Sequence, residues 1–272
     1  SAAGSSDVAR ASHNLAVSVW ALGDLRRGHE LVGRAVEHAS RLGLASFFRF
    51  SRNVELWLLF RIGRWDDALG PTDEFLAALE AGESHYHEGG MRLRRASVRL
   101  ARDDVEGALE DARRVLTLTQ SAGDPQQRVP WFSGCARLLV DAGRRDEARP
   151  AAQGALRDEP LAWGLCDLAF VAEELGCEAE LAEQLEHGAQ TTWTDAARAV
   201  LRGDYIQAAE ILDEIGDAEL ESLARLRAAE QLVAEGRRAE ADDQLERALA
   251  FWRSVNATRY IRQSEALLAM TA

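Results

Sequence analysis

The chain has 272 residues, 47% of them hydrophobic, with a formal net charge of −13 and no lysine. The absence of lysine excludes a Walker-type phosphate loop and Schiff-base chemistry within these residues. No apolar run approaches the roughly 18 residues that span a membrane, and no signal peptide is visible.

Residues 1–6, "SAAGSS", read as a tag or linker, and the missing initiator methionine makes the chain read as a piece of a longer protein. From there a helix-turn-helix signature recurs. Four turns, Gly23-Asp24-Leu25, Gly63-Arg64-Trp65, Asp103-Asp104-Val105 and Gly143-Arg144-Arg145, stand 40 residues apart. Looser copies follow at Gly176, Gly203 and Gly236, with spacings of 33, 27 and 33. A period of this size predicts a solenoid, in which each unit stacks on its neighbours because it cannot bury its apolar face alone. The expected layout is four units over 7–160, three shorter units over 161–256, and a capping helix over 257–272.

Seven residues before each turn stand Ala16, Leu56, Ala96, Ala136, Ala169, Ala196 and Ala229. Five residues after it stand Gly28, Ala68, Ala108, Ala148, Leu181, Ala208 and Ala241. Paired small positions let two antiparallel helices approach closely, while larger Leu, Val and Phe residues fill the seams between pairs. With these paired small positions the chain resembles the tetratricopeptide family, with Pro160 where that family often places a proline between units. The family's tryptophan and tyrosine positions are poorly kept, so the repeats are degenerate. The resemblance implies an all-α, right-handed solenoid of about seven helical hairpins. Segments such as "GRWDDALGPTDEFLAALEAGESHYHEGGMRLRRASVRLARDDVEGAL" also look like the C-terminal regions of large actinobacterial signalling proteins, where such a tail follows a nucleotide cyclase or STAND-type ATPase module.

Charge is unevenly spread. Residues 1–100 hold 13 Arg and 12 acids, and the rest hold 19 Arg and 33 acids. An acidic C-terminal half repels a nucleic-acid backbone, so no nucleic-acid partner is expected. Cys135, Cys166 and Cys177 are too few and scattered for a disulfide framework or zinc site. A reducing cytoplasm fits, with each thiol in a small core position.

In a tetratricopeptide pair the first helix lines the concave groove. Carried across, that pattern implies Arg10, His13, Val17 and Trp20 from the first unit. It adds Phe50, Asn53, Trp57, Phe60 and Arg61 from the second, Leu93, Ser97 and Leu100 from the third, and Ser133, Arg137 and Asp141 from the fourth. An aromatic and arginine mixture suits a groove that captures a peptide; the same residues could instead pack inside a tightly wound superhelix. Arg92, Arg95, Arg99 and Arg102 share one helical face, either as an anion-binding stripe or paired to acids such as Asp103, Asp104, Glu106 or Asp111. The run Glu83-Ser84-His85-Tyr86-His87-Glu88 could hold a metal, yet it reads better as a solvated loop with Tyr86 packed inward. No nucleophile-elbow context, His-Glu-X-X-His or glycine-rich phosphate fingerprint occurs, so no catalytic residue, metal or cofactor is expected. The expected role is a protein-interaction and regulatory scaffold in a cytoplasmic signalling protein, holding a partner peptide or the protein's own catalytic module. The alternatives are a small-molecule or nucleotide sensor using the same groove, with the ring on Trp20, Trp57 and Phe60 and an anion on Arg61 or the stripe, and a self-associating spacer.

Overall fold

The computed structural model describes the backbone of residues 2–80, 82 and 85–271. It is all helical among the described residues. The helices are α1 (Ala2–Ala21), α2 (Leu25–Arg41), α3 (Ala45–Arg61), α4 (Trp65–Glu80), α5 (Glu88–Ala101), α6 (Val105–Ser121), α7 (Pro125–Asp141) and α8 (Arg145–Ala155). There follow α9 (Ala162–Ala169), α10 (Ala172–Leu175), α11 (Glu178–His187), α12 (Thr192–Leu201), α13 (Tyr205–Ile215), α14 (Ala218–Ala234), α15 (Arg238–Ser254) and α16 (Thr258–Thr271). Successive helices pack as neighbours along the chain, as in an α-solenoid. No helix among the described residues is long and apolar enough to cross a membrane. Residues 2–6, set apart as a linker on sequence grounds, belong to α1.

One backbone arrangement makes all seven turns. The N–H of the glycine position donates to the carbonyl three residues back, and the next N–H to the carbonyl five back, as in Gly23 to Trp20 (3.0 Å) and Asp24 to Val19 (3.2 Å). These bonds close the free carbonyls at a helix end and require a left-handed residue. Glycine supplies it six times, and Asp103 does so with φ 68°. At Asp24, Asp104 and Asp204 the following carboxylate caps the next helix, accepting from Arg27, Gly107 and Gln207 N–H groups. All fourteen paired positions flanking the turns are buried.

The later units depart from the expected shortening. Helices α9, α11, α12 and α13 have 8 to 11 residues, but α14 and α15 have 17 each, as long as α2 or α3. The fifth unit's first helix is broken between α9 and α10, where the Leu168 N–H donates to the Ser133 hydroxyl on α7 (2.9 Å).

The solenoid then returns on itself. At the first turn, Trp193 Nε1 on α12 donates to the Trp20 carbonyl (3.0 Å) and Thr192 Oγ1 to that of Leu22 (3.3 Å). At the second turn, Phe251 on α15 crosses Trp65 edge-on, with ring centroids 5.8 Å apart. At the third, Asp103 accepts from Thr258 (2.7 Å) and Arg262 (2.9 Å) of α16, while Arg102 donates to the Val255 carbonyl (2.9 Å). Arg259 reaches the Asp141 carbonyl beside the fourth turn. The inner face of the first four units is thereby covered along part of its length by the last units.

Gly23 tests this closure. Its φ is +110°, and a Cβ there would stand 2.9 Å from the Thr192 Cβ, whereas Gly236 (φ +77°) meets nothing within 4 Å. Gly23→Ala is expected to cost about 1–3 kcal/mol, and more than Gly236→Ala, in urea unfolding. Equal losses would mean that α12 does not seat on the first turn.

Candidate functional site

The inner face divides into a buried ion network and a cavity. The network draws on the first helices of five units. Arg61 (α3), Arg94 (α5) and Arg137 (α7) meet Asp167 (α9) and Asp217 and Glu219 at the start of α14, all at most 5% exposed. Arg137 donates to Asp167 (2.7 Å) and Glu219 (2.5 Å), and Arg61 to Asp167 (3.4 Å). Arg61 also pairs with Asp217, which caps α14 by accepting from the Leu220 N–H (3.1 Å). Arg94 Nη1 stands 3.6 Å from Glu219 Oε2, beyond hydrogen-bond range. Burial pushes all three carboxyls upward. For Asp167 and Glu219 the adjacent arginines, Arg137 foremost, overcome it and hold both below the usual carboxylate range. For Asp217 burial wins over Arg61, and the carboxyl is pushed up to about 6.

Beside the network lies a cavity of about 630 Å³ bounded by α1, α3, α5, α7 and the start of α9. Its walls carry Trp20, Trp57, Trp131 and Trp163 together with Phe47, Phe50, Tyr86, His13 and His87. Trp20 is the hub of one cluster, 4.7 Å from both Trp57 and Trp163, while Phe50 lies 5.0 Å from His13 and 4.6 Å from His87 in another. Periodicity builds these staves: His13, Val17 and Trp20 on α1, and Phe50, Asn53, Val54 and Trp57 on α3, recur every three or four residues. Gly89 serves the far wall, since a Cβ there would stand 2.6 Å from the Trp131 ring.

The polar groups of this wall are unusual in their lack of partners. Trp20 Nε1, Asn53 Nδ2, His87 Nε2 and Arg94 Nε and Nη1 are buried with no hydrogen-bond partner among the described residues. An unmet buried donor costs about 1–3 kcal/mol, so the residues of this wall carry polar groups that the fold itself leaves unsatisfied. Burial lowers the affinity of His13 and His87 for protons, the latter to about 3, so both rings are neutral near pH 7. No carboxylate lines the cavity, and Arg94 is the one cation of its lining, its hold on the proton lowered by burial and by the neighbouring Arg61.

The sequence-predicted groove residues separate accordingly. His13, Trp20, Phe50, Asn53 and Trp57 line the cavity, as do Val17 and Leu93. Phe60, Arg61 and Arg137 are at most 3% exposed within the core and network, where no partner reaches them in this arrangement, and Arg10 is exposed on α1 away from the lining. The arginine stripe is a set of ion pairs: Arg92, Arg95 and Arg99 converge on buried Asp111 of α6 at 3.3, 2.8 and 2.8 Å. Arg102 binds Asp66 (2.7 Å) and the Val255 carbonyl. Their guanidiniums are engaged by protein acceptors, so the stripe offers no open anion site.

Of the histidine run, Glu83 and Ser84 lie outside the described residues. Tyr86 packs inward only in part: its ring borders the cavity beside Phe50 and His87, the residue is 42% exposed, and its hydroxyl donates to Asp124 (2.6 Å). The described residues contain no group of three or more His, Cys, Asp or Glu placed to hold a metal ion. The three cysteines are free and buried. Sequence reasoning missed Arg94, which stands one residue off the stripe and carries no periodic signal of its own.

Two substitutions probe this arrangement. Asp111→Ala is expected to cost about 3–5 kcal/mol in chemical unfolding, because it strands buried arginine charge. Asp217→Asn keeps the α14 cap but removes a carboxyl whose folded pKa is raised. The folded state binds that proton more tightly than the unfolded one, so wild type gains stability relative to Asp217→Asn as pH falls from 7 towards 4. A difference constant across that range would show that Asp217 is not raised. In comparisons with known proteins, no family model matches this chain and no curated protein sequence matches it.

Proposed function

We propose that this chain is a ligand-binding helical-repeat module, in which the inner cavity takes a small molecule and passes its occupancy to attached parts of a larger signalling protein. The observation that carries this reading is the gathering of unpaired buried donors on an aromatic cavity of small-molecule size, within the ~300–1,000 Å³ typical of ligand sites. The tetratricopeptide resemblance supports the module's place beside signalling domains, as an analogy of fold.

A scaffold that captures an extended peptide draws less support. Such a peptide follows the concave face from unit to unit, and here the last units cover Arg61 and Arg137 on that path. The sensor reading keeps Trp20 and Trp57 of its aromatic wall, loses Phe60 to the core, and changes its anion anchor from Arg61 or the stripe to Arg94. No catalytic step forms part of the proposal. Transmission has a physical route, because Arg94 lines the cavity and also faces Glu219 on α14. A ligand that prefers the closed arrangement shifts the solenoid towards it by its difference in affinity for the two states.

Thermal and chemical unfolding in the presence of nucleotides and metabolites tests the reading. A true ligand at 100 times its dissociation constant is expected to add about 2.7 kcal/mol and to change tryptophan emission. Trp57→Ala should weaken it at least several-fold while costing less than about 3 kcal/mol of stability, since the ring is only partly buried. A ligand whose affinity is untouched by Trp57→Ala would place the binding site elsewhere.

A further inference from the structure

The chemistry of the cavity wall restricts what it can take. Trp20 Nε1, Asn53 Nδ2 and the two Arg94 nitrogens can only donate, so the groups they call for are acceptors. The wall carries a guanidinium and no carboxylate, and its buried imidazoles are neutral near pH 7. Arg94 is short of countercharge as well. Among the described residues its ion pair, to Glu219, is long at 3.6 Å, and the other oxygen of that carboxylate binds Arg137 at 2.5 Å. The remaining lining is dominated by flat rings, which favour a flat partner through offset or edge-on contact.

On the small-molecule reading of this cavity, we propose that its ligand is a flat aromatic or heteroaromatic acid, with its ring against the tryptophan cluster and its carboxylate on Arg94. One incompletely paired guanidinium matches the single charge and planar fork of a carboxylate. It does not match a di- or triphosphate, which calls for several cations, and that separates this ligand class from the nucleotides among the sensor's candidates.

Three probes test the proposal on the full chain near neutral pH by titration calorimetry and tryptophan emission: naphthalene carboxylate, naphthalene carboxamide and cyclohexane carboxylate. The aromatic acid is expected to bind about tenfold or more tighter than either of the others, the amide lacking the charge and the cyclohexane the flat ring. Arg94→Gln should erase the preference of acid over amide, whereas Arg95→Gln, on the paired outer stripe, should leave it. Equal binding of acid and amide to the wild-type protein overturns the proposal, and this comparison stands even if Arg94→Gln fails to fold. So does a preference that persists in a folded Arg94→Gln protein, or no binding by any of the three. In each of these cases, an uncharged or polyphosphate ligand found by the broader unfolding screen would keep the small-molecule reading while this ligand class falls.

Discussion

Six buried charges on the inner face hold this structure to one arrangement. Moving an ion out of water costs several kcal/mol, and only close, well-directed pairing offsets it. Arg61, Arg94 and Arg137 come from the first helices of units two, three and four. Asp167 comes from unit five, and Asp217 and Glu219 from the start of unit seven. Arg61 lies 106 residues from Asp167, and Arg137 lies 82 from Glu219. No local unfolding can separate these partners singly without stranding a charge, so the network ties the return of the last units to the winding of the first four. It also gives the uneven charge of the chain a structural expression: here the earlier units supply the cations and the later ones the anions.

The cavity is the part of the inner face that this return leaves uncovered. Below it, α14 fills the axis with its capped N-terminus and two carboxylates. Beside it, Trp193 locks α12 to the first turn through the Trp20 carbonyl. Arg94 sits at the boundary, lining the cavity on one side and facing Glu219 on the other. Cavity occupancy and solenoid closure therefore share a residue. A regulatory module needs such a link, because a ligand acts at a distance only through contacts that differ between two arrangements.

Much of the local architecture was legible. The turn glycines marked left-handed residues, and the small residues before and after them marked helix crossings, because both depend on neighbours within one hairpin. Asp103 could be aligned with the glycines by spacing alone, and it adopts their backbone conformation. The concave positions of the first two units named six cavity residues, since helical periodicity decides which side of a helix faces the axis. The same periodicity misjudged the destinations of Phe60, Arg61 and Arg137, one turn or two units further along, where they are buried in the core and the ion network. The arginine stripe was legible as one face, but Asp111 lies on the facing helix, and only packing reveals that three guanidiniums converge on it. Arg94 had no signature at all, because its role comes from unpaired nitrogens and neighbouring walls rather than from any spacing.

The sequence by itself determined the unit: two antiparallel helices, a left-handed turn residue, often an aspartate cap, and small residues where the backbones cross. Those features are set by interactions between residues a few positions apart, which a period in the sequence records directly. Tertiary structure alone decided how far the solenoid winds, which concave residues become core and which remain a cavity wall. Winding is the accumulated product of small rotations between units, closed by charges and aromatic rings as many as 173 residues apart, and no short-range pattern carries that sum.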